Sequence, residues 1–462
     1  MSRKYIIKIF YSIIKKSKKE RLGAIKIKKG CNRQHIMDYN EICSYLESLG
    51  QFNEETGVER GRNLLNIIGQ PEKSLKIIHI AGTNGKGSVC SYIESCLSKQ
   101  GYKTGLFTSP HLNTIRERIQ INRKLISEED FTRDFNQVYK AVSTNNIKLA
   151  YFDFFFGIAM LYFKEQKVDY VVLETGLGGK LDATNAVERP ICSVITAIGL
   201  EHTAILGDTL KKIAGEKAGI IKPGVPVVYT DNEAEVTSVI KNRADACASF
   251  SYGVNSQQYT IVKNLNGCID FLIDNEYYSN DCFHLATPAL YQVENAALAV
   301  TACAVIKSTY GITISDENIK DALATNIWQG RMEKVTDNIY VDGAHNPHGI
   351  RRFAETVNAM YADSDKKASL LFSVVSDKNF EEMINILCTC NVFDRIAVTV
   401  TGGKRQLDRQ YIQEAFNRHS NINVEVYDSA ADAVKALNNN HDMVFCTGSL
   451  YLVADIKAAL KQ

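Results

Sequence analysis

Short apolar runs alternate with longer segments of helical periodicity along most of this chain. Runs rich in Val, Ile, Leu and Tyr, bounded by glycine or polar residues, are typical of strands buried on both faces of a sheet. Strands that alternate with helices favour a parallel sheet with right-handed crossovers. The first half of the chain therefore predicts a mostly parallel α/β sheet, with strands near residues 76–80, 103–108, 169–175, 192–198 and 225–229.

The second half of the chain repeats this pattern after an interruption. Residues 251–285 form short alternating runs, which predict a small antiparallel appendage, and two helices follow at 292–306 and 315–325. Strand and helix patterns then resume and predict a smaller, Rossmann-like α/β domain. Its strands are expected at 339–342, 369–375, 395–399, 424–427 and 443–447. We assign residues 37–328 to a central α/β domain and residues 329–462 to a C-terminal α/β domain.

Composition narrows the class of protein. The 462 residues are 45% apolar and 23% charged, near the average for a soluble globular protein. A net charge of +2 argues against a dominant nucleic-acid surface, and no apolar run is long enough to span a membrane. The 12 cysteines are scattered without paired CxxC spacing, so we expect reduced thiols in a cytoplasmic protein.

The first 36 residues differ in kind, because they carry many Lys and Arg and a single acid, Glu20. Three interpretations compete: a basic amphipathic helix at a membrane surface, a targeting segment, and an extension without function. A helix pattern opens at Met37. We expect residues 1–36 to be a disordered or wrongly started extension without a catalytic role.

A glycine-rich turn at residues 82–88 is the strongest chemical signal. It follows a predicted buried strand and precedes a predicted helix at 89–100. Backbone amides in such a turn, with the positive end of the helix, form a cradle for phosphate. Lys86 would reach the terminal phosphates, and the Ser88 hydroxyl would ligate Mg²⁺. The spacing departs from the usual Walker form, and a plain glycine turn between strand and helix is the alternative. The predicted phosphate-binding residues are Gly82, Thr83, Asn84, Gly85, Lys86, Gly87 and Ser88.

Other polar residues follow predicted strands, where ligands of open α/β sheets gather. Glu174 ends a buried strand before a glycine-rich turn, which is where P-loop enzymes place a metal-binding acid. His202 follows the next strand, and Lys217 lies within a predicted helix. Taken singly, such a histidine is more often structural and such a lysine is usually solvated. Their order along the chain changes this weighing.

The motifs in sequence resemble the series found in folylpolyglutamate synthase/dihydrofolate synthase, a branch of the Mur ligase superfamily. They extend from about Met37 to the C-terminus and are specific in their order. The matching segments are residues 83–88, 108–112, 174–185, 199–202, 216–219, 291–296, 330–331 and 342–347. The resemblance implies a central P-loop domain and a C-terminal α/β domain that closes over ATP.

The resemblance also implies roles for individual residues. Ser109, Glu174 and His202 would bind Mg²⁺. Lys217 would be carbamylated, so that its carboxylate helps to hold a second Mg²⁺, and it would act in catalysis with Lys86, His202 and Arg331. An ordinary ammonium group beside Mg²⁺ would be repelled. The remaining ATP contacts would come from Asn295, Arg331, Asp342, His345 and the 376–378 turn.

The pterin or folate contacts are implied by the same resemblance at Gly57, Phe152, Lys180 and Leu181. Two departures from the family pattern fall on this side. Lys180 stands where the family usually has arginine, and Asp153 where a glutamate is common. The aromatic run 151–156 is most simply the packing face of a helix. Residues 56–60 also lie where the family places pterin contacts, and the alternative interpretation of them is a solvated linker.

These observations predict an ATP-dependent ligase that adds L-glutamate to tetrahydrofolate, to dihydropteroate or to both, through an acyl phosphate. The expected partners are small molecules, ATP and Mg²⁺, without nucleic acid or membrane, and the family default is a monomer. Two alternatives remain at this stage: another Mur-type amino-acid ligase, and a P-loop ATPase that ligates nothing. The chain before Ile77 has little room for a UDP-binding domain, which disfavours a peptidoglycan ligase.

Overall fold

A computed structural model of the chain describes residues 36–49, 56–401, 405–438 and 443–460. The predicted basic extension therefore lies outside the described residues except for Ile36. From Asp38 onward the chain forms one compact unit. Within the described ranges, no helix combines the length and apolarity needed to cross a membrane.

The first sheet has eight strands, and the predicted mostly parallel α/β fold is confirmed. The strand order is β4-β3-β2-β5-β1-β6-β7-β8, with β1 near the centre and only β3 and β4 antiparallel to their neighbours. The central strands are buried on both faces, as their uninterrupted apolar runs predict. The strands are β1 (Ile77–Ala81), β2 (Thr104–Phe107), β3 (Ile119–Ile121), β4 (Lys124–Leu125), β5 (Tyr170–Glu174), β6 (Cys192–Ile195), β7 (Val227–Thr230) and β8 (Ser251–Val254).

Helices cover both faces of this sheet. Their starts are set by side-chain caps: Thr56 accepts from the Glu59 N–H, and Ser127 accepts from the Asp130 N–H. Residues 56–60, which a linker could also have explained, are therefore the capped first turn of a helix. The helices are α1 (Tyr39–Ser48), α2 (Gly57–Ile67), α3 (Lys86–Lys99), α4 (Glu128–Thr144), α5 (Tyr151–Glu165), α6 (Thr203–Leu206), α7 (Leu210–Ala218) and α8 (Ala234–Ala246).

The predicted antiparallel appendage is smaller than residues 251–285. β9 (Tyr259–Leu265), β10 (Cys268–Asp274) and β11 (Ser279–Leu285) form a separate antiparallel sheet, but residues 251–254 pair in parallel with β7 and belong to the main sheet. An alternating run suits an edge strand of either sheet, so the sequence alone did not separate the two. The small sheet packs against α9 (Tyr291–Tyr310) and α10 (Asp316–Thr325), and their apolar residues share one core with the main sheet.

The second sheet follows α10 and has the order β12-β13-β17-β14-β15-β16, parallel except for β12. The predicted boundary near residue 328 falls between Thr325, where α10 ends, and Glu333, where β12 begins. The strands are β12 (Glu333–Lys334), β13 (Ile339–Val341), β14 (Ala368–Phe372), β15 (Phe393–Val398), β16 (Val424–Val426) and β17 (Val444–Thr447). The helices are α11 (Pro347–Met360), α12 (Phe380–Cys388), α13 (Arg409–His419), α14 (Ala430–Leu437) and α15 (Leu450–Ala459).

Candidate active site

The predicted phosphate loop joins the central strand β1 to α3. Gly82 and Gly85 have φ angles of 155° and 87°, and a Cβ on Gly85 would collide with the Asn295 side chain. Helix α3 begins at Lys86, so Lys86, Gly87 and Ser88 form its first turn and direct their amides toward the loop. Lys86 Nζ donates to the carbonyls of Gly82 and Thr83, both at 3.1 Å. The lysine therefore folds back over the loop that it would use to bind phosphate.

The loop also contacts the second sheet's domain. The Asn84 amide group exchanges hydrogen bonds with Asn346, at 3.2 and 3.0 Å, and its Nδ2 lies 2.7 Å from His348 Nδ1. Thr83 Oγ1 donates to the Gly199 carbonyl over 3.1 Å. The loop is thus held by both halves of the chain.

Glu174 and Ser109 lie side by side at neighbouring strand ends. The Ser109 N–H donates to Glu174 Oε2 over 2.8 Å. Burial raises the pKa of Glu174 to about 6, although Lys86 and the Ser109 N–H act in the opposite direction. Among described residues, this hydrogen bond is the one recorded for the Glu174 carboxylate. The carboxylate therefore keeps lone pairs for another ligand, which a cation in the cleft would satisfy.

His202 itself adopts a left-handed backbone conformation (φ 49°), and its neighbour Glu201 makes the stronger side-chain contacts. Glu201 Oε1 accepts from Lys378 Nζ over 3.0 Å and lies 3.2 Å from His345 Nε2. Burial alone would raise the pKa of Glu201, but the hydrogen bond from His345 and the nearby cations hold it well below its usual range. Glu201 therefore links the central domain to two C-terminal residues. Glu201 lies within the motif at residues 199–202, but the sequence alone did not indicate a role for it.

Lys217 lies beneath the phosphate loop. Its side chain is buried, and Nζ donates to the Gly82 carbonyl over 2.6 Å. Burial lowers the pKa of Lys217 to about 7, and repulsion from Lys86 contributes. A large fraction of this amine is therefore neutral near pH 7, which is the form that reacts with carbon dioxide.

The predicted nucleotide residues of the second half meet α9. The buried Asp342 carboxylate accepts from the Tyr291 hydroxyl, from the Met332 N–H at 2.9 Å and from the Ala344 N–H at 2.8 Å. Arg331 lies close enough to lower the pKa of Asp342, whereas burial raises it. Asn295 Nδ2 donates to Gln292 Oε1, and Gln292 Nε2 donates in turn to Ser88 Oγ over 3.1 Å.

The predicted pterin side lies across the cleft. The Phe152 ring packs edge-on to Phe107 and over Gly176, whose Cβ would come within 2.8 Å of the ring. The Val58 N–H donates to the Leu181 carbonyl, so the start of α2 is fixed against the glycine-rich turn. Lys180 does not join this set. Its side chain is exposed and its stem covers Gly219, outside the cleft.

Asp153, the second departure from the family pattern, is fully engaged inside the protein. Its carboxylate contacts Arg60 Nε at 2.5 Å and accepts from the Ala150 N–H at 2.7 Å. Both partners are buried. Asp153 therefore holds α2 against α5 beside the cleft.

One cleft of about 1200 Å³ collects most of the predicted site residues. Lys180, Lys217 and Gly82 are the predicted residues that do not line it, and Lys217 and Gly82 contact each other directly below the loop. The predicted residues that line the cleft are Gly57, Thr83, Asn84, Gly85, Lys86, Gly87, Ser88, Ser109, Phe152, Glu174, Leu181, His202, Asn295, Arg331, Asp342 and His345.

The predicted Mg²⁺ ligands, Ser109, Glu174 and His202, all line the cleft. No three His, Cys, Asp or Glu side chains in the described ranges converge as a metal cluster. The predicted set holds one carboxylate, one hydroxyl and one imidazole, and Glu174 is buried with spare lone pairs beside Ser109. Mg²⁺ commonly binds one or two carboxylates and fills its other positions with water and substrate phosphates. These residues therefore fit Mg²⁺ bound together with ATP.

Comparison with known proteins defines the class. The model of the Mur ligase middle domain matches residues 80–303, and the model of the Mur ligase, glutamate ligase domain matches residues 330–450. The chain is therefore a Mur-type, ATP-dependent ligase.

Relatives define the family within this class. The chain is 34% identical to the dihydrofolate synthase/folylpolyglutamate synthase of Bacillus subtilis, over 92% of this chain and 99% of the relative. The folylpolyglutamate synthase structure from Thermotoga maritima has 31% identity and a TM-score of 0.79, covering 92% of this chain and 97% of that one. Escherichia coli FolC in complex with DHPP and ADP has 28% identity and a TM-score of 0.80, covering 93% and 99%.

The chain belongs to the folylpolyglutamate synthase/dihydrofolate synthase family. It is an ATP-dependent ligase that joins glutamate to a folate-type acid, and the predicted function is confirmed. The two alternatives, a different Mur-type ligase and an ATPase without ligase activity, do not hold.

Proposed function

We propose that the cleft activates the acceptor carboxylate and captures it with glutamate in two steps. A carboxylate oxygen attacks the γ-phosphorus of ATP, and the bond between that phosphorus and the β–γ bridging oxygen breaks. ADP departs, and the acceptor becomes an acyl phosphate. The glutamate amine then attacks the acyl carbon, loses a proton and expels phosphate to give an amide. The supporting observation is that the phosphate loop, Glu174 and the predicted pterin contacts Phe152 and Leu181 all line the same cleft.

Lys86 and Arg331 are the proposed cationic groups for phosphoryl transfer. Neither makes an ion pair with a carboxylate among the described residues, and both line the cleft. Phosphoryl transfer depends mainly on positioning and on neutralising charge at the transferred group. Asn295, Asp342 and His345 would orient the nucleotide. His202, next to Glu201 in sequence, would serve catalysis as a ligand of Mg²⁺.

Glu174, Ser109 and His202 are the proposed Mg²⁺ ligands, with Ser88 close to the phosphates. When bound, Mg²⁺ neutralises charge on the phosphate oxygens. Lys217 is the proposed carbamylation site, because its buried amine has a pKa of about 7 and touches the loop at Gly82. Its neutral nitrogen attacks carbon dioxide, an N–C bond forms as one C–O π bond breaks, and one proton is released. The neutral amine thus becomes an anionic carbamate, which would help to bind a second Mg²⁺.

The acceptor is proposed to be dihydropteroate, tetrahydrofolate or both. The Bacillus relative carries both activities in its name, and the E. coli structure holds DHPP with ADP. The predicted monomeric state stays a prediction.

The test is ligation of labelled L-glutamate by the purified full chain with ATP and Mg²⁺, using each acceptor in turn. We expect phosphate release that requires both glutamate and an acceptor. Omission of bicarbonate and removal of dissolved carbon dioxide should slow the reaction if Lys217 is carbamylated, and its restoration should recover the rate. A rate of phosphate release that depends on neither glutamate nor the acceptor would contradict the proposal.

A further inference from the structure

The cations of the cleft divide into two groups. Four of them are paired with carboxylates: Arg60 with Asp153, Lys378 with Glu201, Arg352 with Glu294 and Arg405 with Asp377. Three others lining the cleft, Lys86, Arg118 and Arg331, have no carboxylate within ion-pair distance in the described part of the chain. ATP accounts for Lys86 and Arg331. It leaves Arg118 without an anion.

Arg118 is held rigidly at the cleft wall. It ends the short 3₁₀ helix Ile115–Arg118, and its carbonyl accepts from the Thr108 N–H over 3.1 Å. The neighbouring Glu117 does not pair with it, because the Glu117 carboxylate accepts from three consecutive backbone N–H groups, at residues 112–114, over 2.7 to 3.0 Å. The nearest acid in sequence is thus already used.

The guanidinium group is buried but incompletely satisfied. Arg118 is 7% exposed, and its guanidinium carbon lies 5.6 and 5.1 Å from the Tyr151 and Phe155 ring centroids. Its Nε donates to His111 Nδ1 over 3.0 Å. Since Nδ1 is the acceptor, this imidazole is neutral and supplies no counter-charge to the arginine. The two terminal nitrogens make no hydrogen bond or ion pair with any described residue.

Such a group is costly to maintain without an anion. Removing a cation from water is unfavourable unless a counter-charge and hydrogen bonds replace the lost solvation. Contact with two aromatic faces offsets only part of this loss. Two planar, unused N–H edges match a carboxylate, which arginine binds through two parallel hydrogen bonds.

We propose that Arg118 binds a carboxylate of a ligation substrate, with its terminal N–H groups donating to both carboxylate oxygens. This rests on the proposed function, because it deepens the substrate side of the same cleft. Two sources share this chemistry: the carboxylate of tetrahydrofolate that is not activated, and a carboxylate of the incoming glutamate. Dihydropteroate carries one carboxylate, the one that reacts, so the two acceptors separate the sources.

The experiment compares the unmodified protein with Arg118→Met, Arg118→Lys and Arg116→Met. Arg116 is the matched control, because it lies in the same short helix but contacts the Ile126 carbonyl and Glu128 away from the cleft. Initial rates give KM for glutamate, for tetrahydrofolate and for ATP. Loss of hydrogen bonds between charged groups should raise KM for a carboxylate substrate about 10- to 100-fold in Arg118→Met. Arg118→Lys should lie between, and KM for ATP should not change.

The pattern of KM changes identifies the carboxylate. A rise for glutamate with both acceptors assigns Arg118 to glutamate, and a rise confined to tetrahydrofolate assigns it to that acceptor. Unchanged KM values for both substrates would overturn the proposal, even if kcat fell. Titration of tetrahydrofolate or glutamate into protein held with AMPPCP gives a readout independent of turnover. If Arg118→Met does not fold, Arg118→Lys supplies the same comparison, whereas an unmodified protein without glutamate-dependent turnover would instead contradict the proposed function.

Discussion

Two buried carboxylates of the cleft, Glu174 in the central domain and Asp342 in the C-terminal domain, are in opposite states. Glu174 ends β5 and accepts a single recorded hydrogen bond, from the Ser109 N–H. Asp342 follows β13 and accepts from the Tyr291 hydroxyl and two backbone N–H groups. Burial raises the pKa of both acids. The central residue has spare capacity for a ligand, whereas most of the acceptor positions of Asp342 are already used.

The same contrast extends to the cations. Lys378 forms an ion pair with Glu201, whereas within the described residues the hydrogen bonds of Lys86 Nζ go to the backbone carbonyls of Gly82 and Thr83. Lys86 and Glu174 of the central domain thus keep capacity for a ligand, whereas Lys378 and Asp342 of the C-terminal domain are already held by other groups. Arg331 is the exception in the C-terminal domain, because it has no carboxylate partner among the described residues. We therefore propose a division of labour: Lys86 and Glu174, together with Arg331, bind the reacting phosphate and its Mg²⁺, and Asp342 positions the nucleotide.

The largest expected effect comes from removing the uncompensated lysine. Lys86→Ala should lower kcat for ligation by about 10²- to 10³-fold or more, because a preorganised donor to the transferred group is lost. The matched control is Lys99→Ala at the other end of α3, where the lysine pairs with Asp321 on an exposed surface. Steady-state rates of both variants check this, and near-normal turnover of Lys86→Ala would remove the central region's special role.

A smaller but more discriminating effect is expected from neutralising the two carboxylates in parallel. Glu174→Gln should raise the Mg²⁺ concentration needed for half-maximal rate, since a ligand with free lone pairs is lost. Asp342→Asn should raise KM for ATP about tenfold without moving the Mg²⁺ requirement, because it disturbs a satisfied network. Titrations of rate against Mg²⁺ and ATP distinguish the two. Equal Mg²⁺ shifts in both variants would erase the contrast.

The third effect concerns stability in acid, and it should leave the contrast between the two carboxylates unchanged. His79 in β1 is buried, its Nε2 lies 2.8 Å from Thr184 Oγ1, and burial lowers its pKa from 6.5 to about 3. Between these two pH values His79 is protonated in the unfolded chain but not in the folded chain. The free energy of unfolding therefore decreases as pH falls, by up to about 1.4 kcal/mol per pH unit. His79→Gln should flatten this slope in urea unfolding measured from pH 7 to 4. An unchanged slope would assign the acid sensitivity elsewhere.

The strand-end residues were predictable because two general rules locate them. Apolar runs mark β1 and β5, and ligands gather beyond the carboxyl ends of parallel strands. Glu174, Ser109 and the phosphate loop therefore meet where expected. Lys180 was not excluded by sequence, since a side chain next to a glycine-rich turn can point into or away from the cleft, and here it points away.

What the sequence could not supply are contacts between distant segments. Nothing local to Glu201 shows that Lys378 and His345 approach it. Arg118 directly precedes β3 and lies outside every motif that the sequence analysis singled out. The contacts that occupy Glu117 are local in sequence, but the lack of any described carboxylate within ion-pair distance of Arg118 depends on the tertiary fold.

The central claim is that the cleft transfers phosphate to the acceptor carboxylate before glutamate attacks. The most direct measurement uses an acceptor labelled with ¹⁸O in its reacting carboxylate, with mass analysis of the phosphate released. We expect one labelled oxygen in the phosphate for each amide formed. Phosphate free of label, with amide still formed, would contradict it.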